Sequence, residues 1–231
     1  MILLLQIQTV PDSLTNPKIT EKTLSVVDLI TSGGIGGNLV MGALGILSIF
    51  AIYILIERFS SIKKASKEDT NFLKSIQNFV EAKDIEAAKA LCRNTDSPIS
   101  RMIEKGVNRI NKPMTDISAA IENQGKLEVF KMENNLANLA TISGAAPMIG
   151  FLGTVIGMIV AFHEMASAGG NIDVEMLSKG IYTAMTTTVA GLIVGIIAFI
   201  AYNYLVSKVD KVVFMLEAKT TEFLDLLHHN E

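Results

Sequence analysis

The sequence predicts an all-α membrane protein with three transmembrane helices, two of them continuing far into the cytoplasm, and a small helical cytoplasmic domain. Three observations carry that expectation. Residues 39–56, 134–162 and 180–207 contain no Asp, Glu, His, Lys or Arg. Each is close to or above the ~20 residues that a helix needs to cross a ~30 Å hydrocarbon core. The stretch between the first two is rich in charges of both signs, as a water-facing segment requires. Finally, 49% of the 231 residues are hydrophobic and the mean hydropathy is positive, which is high for a soluble domain.

Taken in order, residues 1–38 form a periplasmic N-terminal segment. Met1 to Val10 is apolar at first, but it lacks a basic start and is interrupted by Gln6 and Gln8, so no cleavable signal peptide is read from it. Pro11 and Pro17 frame a loop. Over residues 19–31, Leu24, Val27 and Ile30 recur at helical spacing, with Val26 and Leu29 widening the face and Thr20, Glu21, Lys22 and Asp28 opposite. That pattern suits a short amphipathic helix lying on a membrane surface. Ser32-Gly33-Gly34-Ile35-Gly36-Gly37 then reads as a hinge, because glycine accepts the backbone angles of a sharp turn.

The first span, 39–56, is followed at once by Arg58, Lys63, Lys64 and Lys67, whereas only Lys18 and Lys22 precede it. The excess of positive charge places residue 57 onward in the cytoplasm and the N-terminus outside. Residues 57–133 comprise the cytoplasmic helical domain and the start of a long helix. Three short amphipathic helices are legible there. One carries Phe72, Leu73, Ile76, Phe79 and Val80. The next starts near Asp84 and buries Ile85, Ala88 and Leu91. The last opens at Ser97-Pro98, a good capping pair, and carries Ile99, Met102, Ile103, Gly106 and Val107. Asn111-Lys112-Pro113 closes this group. A helix beginning near Thr115 then meets no breaker except Gly125 and is expected to run unbroken to Phe162, about 70 Å at 1.5 Å per residue.

The second span, 134–162, is not an ordinary apolar anchor. Ser143, Pro147, Gly150, Thr154 and Gly157 stay within roughly 40° of one line down a helix. They make a small, hydroxylated, proline-notched stripe, with Leu152, Val155, Ile156 and Ile159 on other faces. Close helix packing accounts for such a stripe, and Gly153 and Gly157 have the spacing for it. A stripe facing a water-filled or partner-filled lumen accounts for it equally. Residues 163–179 form a short periplasmic loop, with a turn at Ala168-Gly169-Gly170-Asn171. In the third span, 180–207, Thr183, Thr186, Thr187 and Thr188 form an unusual density of hydroxyls, and Gly191 and Gly195 offer another close contact. Tyr202 and Tyr204 sit where an inner aromatic belt belongs. In the tail, 208–231, Val209, Val212 or Val213, Leu216, Thr220, Phe223 and Leu227 keep a three-four spacing. The helix should therefore continue into the cytoplasm and pack on its neighbours.

Several chemistries are unsupported. A net charge of −3 suggests no nucleic-acid partner. The single cysteine, Cys92, permits no intrachain disulfide and reads as a buried apolar residue. No metal-ligand cluster, cofactor loop or nucleophile motif is present, so neither an enzyme nor a cofactor is expected. No span carries a group that titrates near neutral pH, so its hydroxyls can only hydrogen-bond water or a carboxylate from elsewhere.

The runs "GAAPMIGFLGTVIGMIVAF" (144–162) and "KGIYTAMTTTVAGLIVGIIAFIAYNYL" (179–205) resemble the MotA/TolQ/ExbB proton-channel family, and most of all its ExbB type. The resemblance rests on Ala146-Pro147, Gly153-Thr154-Val155, Thr188-x-x-Gly191-Leu192 and Tyr202-Asn203 in order and spacing. It implies an inner-membrane homopentamer whose pore is lined by the second and third spans. It further implies an ExbD-like single-span partner bearing a membrane aspartate, and a TonB-like protein driven by proton flow. Pore-lining positions of the family map onto Thr154 and Thr188, so the proton-pathway or partner-contact set is Ser143, Pro147, Thr154, Thr183, Thr187 and Thr188. The helix-packing set is Gly150, Gly153, Gly157, Gly191 and Gly195. One departure stands out. Many relatives carry a glutamate two residues after the Gly-Ile of the third span, whereas Gly180-Ile181 is followed here by Tyr182 and Thr183. A Tol-type envelope role or a motility stator fits the same residues. Of other classes, a small-solute permease is disfavoured by three spans without an inverted repeat, and a membrane scaffold remains the rival.

Overall fold

A computed structural model describes residues 34–66, 70–167 and 174–229, and all its regular structure is helical. The helices are α1 (Gly34–Ala65), α2 (Thr70–Glu81), α3 (Ile85–Asn94), α4 (Pro98–Val107), α5 (Met114–Glu133), α6 (Leu136–Ser167) and α7 (Val174–His229). The surface helix expected over 19–31, the start of the glycine hinge and the turn at 168–171 lie outside the described residues. Helix α1, the α5–α6 stretch and α7 are each long and apolar enough to cross a membrane.

Two expectations about helix limits are corrected. Gly34, Gly36 and Gly37 belong to α1 and not to a hinge. Small size serves contact at Gly36, where a methyl would lie 2.9 Å from Ile156 Cγ2; one on Gly37 would meet Thr183 Cγ2 at an ordinary 3.4 Å. The long helix from Thr115 to Phe162 is not unbroken either. It breaks at Asn134 and Asn135, where Asn135 takes the left-handed conformation (φ 66°), which asparagine tolerates better than most residues. The break is held from α1. Arg58, only 7% exposed, donates from Nη1 to the Lys131 carbonyl at 2.8 Å and pairs with Glu57. A guanidinium on a carbonyl in the last turn of α5 offsets its C-terminal partial charge.

The short helices carry clear terminal signals. Lys83, at φ 58°, closes α2: its N–H donates to the Val80 carbonyl and that of Asp84 to Phe79, a Schellman turn. Asp84 Oδ1 accepts from the Ala87 N–H at 3.0 Å and so caps α3. Ser97 and Ser100 exchange side-chain and backbone bonds at the start of α4, with Pro98 in its first turn.

These helices do not stand apart as a unit of their own. One contiguous set of buried side chains runs from Val40 and Leu44 in the spans to Ile76, Ile103, Ile121, Leu216 and Phe223. At Gly106 the fit is tight, since a methyl there would lie 2.7 Å from Ile121 and 2.8 Å from Phe223. Polar groups knit the same region. Glu128, 2% exposed, accepts from Arg101 and Gln124 at 2.8 Å and from Lys131 at 2.9 Å. Burial pushes its carboxyl up, but those bonds outweigh burial and hold it below the usual carboxylate range. Arg101 also pairs with Asp96 at 2.8 Å, and Asp96 with Lys64 at 2.6 Å, so the network reaches back to α1.

Candidate functional site

Helices α6 and α7 run antiparallel, and small residues set how closely they approach. Along their contact Gly157 faces Ala184, Gly153 faces Thr187, Gly150 faces Gly191, and the Pro147 ring faces Gly195. A methyl on Gly150 would lie 2.8 Å from the Thr187 carbonyl oxygen and 3.1 Å from Gly191 Cα. On Gly191 it would lie 2.6 Å from the Ala146 carbonyl oxygen and 2.9 Å from Gly150 Cα. These obstacles are main chain and cannot swing aside, so only glycine admits the contact. Helix α1 leans on the pair, with Val40 Cγ1 3.0 Å from where a Gly153 methyl would stand.

Close approach brings a main-chain carbonyl to three hydroxyls. The Gly150 oxygen lies 3.2 Å from Thr187 Oγ1, 3.1 Å from Thr188 Oγ1 and 3.4 Å from Thr154 Oγ1. Thr187 Oγ1 is also 2.7 Å from the Ala184 carbonyl, and the hydroxyls of Thr154 and Thr188 bond to each other across the helices. Five donor–acceptor contacts therefore share three protons. Each hydroxyl offers one proton and accepts through its lone pairs, so the protons can redistribute without heavy-atom movement.

Exposure divides the hydroxyls into two groups. Thr187 (1% exposed) and Thr183 (8%) are buried, while Thr154 and Thr188 are half-buried at the edge of the pair. Ser143 turns its hydroxyl to the Ala140 carbonyl at 2.7 Å. Its own carbonyl is denied the usual helical donor because Pro147 has no N–H, and it lies 3.1 Å from where a Gly195 methyl would stand. The stripe of Ser143, Pro147, Gly150, Thr154 and Gly157 is thus turned toward α7, with Thr154 at its margin.

Two features were not legible beforehand. Gly150 reads in sequence as a packing residue, and only the antiparallel pairing shows its carbonyl as the shared acceptor. The Tyr182 hydroxyl is buried and has no hydrogen-bond partner among the described residues, which no pattern of spacing reveals. Elsewhere, no group of three potential metal ligands occurs among the described residues. Cys92 is buried, and burial followed by the nearby Glu104 charge pushes its thiol up to about 12, so it is a poor nucleophile.

The profile of the MotA/TolQ/ExbB proton channel family matches residues 94–218. A putative biopolymer transport protein ExbB homolog of Methanothermobacter thermautotrophicus is 27% identical over 187 residues, covering 80% of this chain and 64% of its own length. The biopolymer transport protein ExbB of Helicobacter pylori is 40% identical over 79 residues, 34% of this chain and 54% of that protein. The Tol-Pal system protein TolQ of Pseudomonas aeruginosa is 24% identical over 223 residues, 92% of this chain and 96% of its own. The matched profile takes in α4, α5, α6 and the part of α7 that carries the hydroxyl cluster, and on that match the chain belongs to the MotA/TolQ/ExbB proton channel family.

Proposed function

We propose that this chain is the pore-forming subunit of an inner-membrane complex that converts proton-motive force into mechanical work for TonB-dependent import across the outer membrane. In this reading it forms a homopentamer around an ExbD-like single-span subunit bearing a membrane aspartate, and the complex acts on a TonB-like protein. Its N-terminus is periplasmic and its C-terminus cytoplasmic. One observation carries the reading: Thr154 and Thr188 bond to each other at the half-buried edge of a helix pair that holds no carboxylate in its spans. A hydroxyl pair there can hydrate or orient a partner's carboxylate but cannot itself carry charge. Thr187 and Pro147 support the pair by holding α6 against α7, and Ser143 and Thr183 complete the proposed proton-pathway or partner-contact set. A Tol-type envelope role is the second reading, favoured by the breadth of the TolQ match, which takes in 92% of this chain.

Thr154→Val and Thr188→Val keep side-chain volume while removing a donor and acceptor. Each leaves a polar neighbour short of a bond, at a cost of roughly 1–3 kcal/mol where buried. Both variants should assemble normally yet lose most proton-dependent uptake of an iron complex, and Thr→Ser should spare more activity than Thr→Val. Full uptake by assembled valine variants would remove the hydroxyls from the mechanism. Detergent sensitivity of a deletion strain, with iron uptake intact, would select the Tol-type reading. Orientation is checked by a cysteine at Ser66, which should resist an impermeant thiol reagent in cells with a permeabilised outer membrane; labelling there would invert the topology.

A further inference from the structure

Helices α1 and α7 run parallel: Gly37 faces Thr183 near one end, and Phe59 stacks on Tyr204 near the other, with ring centroids 6.3 Å apart. Beyond that stack the helices leave an open groove of about 780 Å³ lined by Phe59, Ser60, Lys63, Lys64, Tyr204 and Lys208, with Ile62, Leu205 and Ser66 completing it. Its lining contains three lysines and no acid. Lys64 is engaged by Asp96 at 2.6 Å. Among the described residues neither Lys63 nor Lys208 has a carboxylate within ion-pair distance, and Lys208 instead lies 5.4 Å from the centre of the Tyr204 ring. The groove sits where the uncharged runs of α1 and α7 end. One turn toward the membrane from Phe59 and Tyr204 are Ile56 and Ile200, each 62% exposed, on the same helical faces.

We propose that this groove binds one anionic glycerophospholipid, with the phosphate between Lys63 and Lys208, headgroup hydroxyls within reach of Ser60, and an acyl chain laid over Phe59, Ile56 and Ile200. The argument is charge complementarity joined to position. Cationic side chains, aromatic rings and apolar helix faces meet here in the order in which a phosphate, a glycerol backbone and an acyl chain cross the membrane boundary. A free anion would use the lysines but leave the apolar wall uncovered. The inference needs α1 and α7 to span the membrane but does not depend on proton conduction.

The test uses the full chain purified in detergent, in the oligomer it forms, and native mass spectrometry after titration with phosphatidylglycerol, phosphatidylcholine or inorganic phosphate. Phosphatidylglycerol should be retained, phosphatidylcholine much less, and inorganic phosphate should not compete at millimolar concentration. Lys63→Gln combined with Lys208→Gln should weaken phosphatidylglycerol retention about 25-fold, since a lysine near a charged bilayer surface contributes roughly five-fold. Lys63 is exposed and Lys208 half-buried, and glutamine keeps most of the side chain's length and is nearly as good a helix former, so helical content should not change. A Lys126→Gln variant, at a lysine outside the groove, should bind as the unaltered chain does. Equal retention of phosphatidylcholine, competition by inorganic phosphate, or undiminished binding by the double variant would each overturn the proposal. So would a double variant whose oligomer dissociates while the lipid stays bound, because a second copy of the chain would then be the occupant.

Discussion

Replacing Gly191 by alanine should cost the helix pair several kcal/mol, although the change adds one methyl group. That methyl would stand 2.6 Å from the Ala146 carbonyl oxygen, 2.9 Å from Gly150 Cα and 3.1 Å from Gly150 N. All three are main-chain atoms of a helix, so relief must come from moving the helices apart. Restoring an ordinary contact requires a shift of about 0.8 Å. Thr187 and Thr188 now lie 3.2 and 3.1 Å from the Gly150 oxygen, and the same shift would take both past hydrogen-bonding distance. Overpacking costs about 1–3 kcal/mol and each of the two lost bonds about 0.5–1.5, for an expected total of roughly 2–6 kcal/mol. The comparison is Gly45→Ala in α1, where an added methyl meets nothing within 4 Å. There alanine's better helix propensity should leave stability unchanged or raise it by up to about 1 kcal/mol. Both variants can be measured by reversible unfolding in mixed detergent and dodecyl sulfate micelles. If Gly191→Ala unfolds within about 0.5 kcal/mol of the unaltered protein, the main-chain contact is not what sets the helix spacing.

Two further outcomes follow from groups outside the spans. Arg58→Met removes the donor to the Lys131 carbonyl and leaves Glu57 without its guanidinium. Amides around the Asn134–Asn135 break should then exchange about ten-fold faster or more, a cap at a helix C-terminus being worth up to about 2 kcal/mol; unchanged protection would show that the break holds itself. Glu128 titrates below its ordinary value of 4.5 in the folded chain. The stability it contributes is therefore present above that value and lost as pH falls through and below it. Unfolding temperature in detergent should drop as pH falls below that ordinary value, and Glu128→Gln should flatten the drop. An identical acid profile in the variant would assign the loss to other carboxylates.

The sequence by itself determined what hydrophobicity and spacing determine. Three uncharged runs each long enough for a bilayer identify the spans, because no other arrangement satisfies so much apolar side chain together with its main-chain polar groups. Ser97-Pro98 and Asp84 mark helix starts through local bonds within a few residues, and such bonds need no tertiary context. The tail seam through Val209, Leu216 and Phe223 was legible because a three-four repeat survives whatever it packs on. Tertiary structure alone decided the rest. Asn134-Asn135 offers no strong breaker, and the helix breaks there with Arg58, over seventy residues earlier, on the Lys131 carbonyl in the last turn of α5. The glycines before the first span look like a hinge until they are seen inside α1, with Ile156 needing the space beside Gly36. Spacing put Thr154 and Thr187 among one set of hydroxyls, but it could not say which lies inside the helix pair and which at its edge. That depends on the rotation of each helix about its own axis, which residues distant in sequence set by packing.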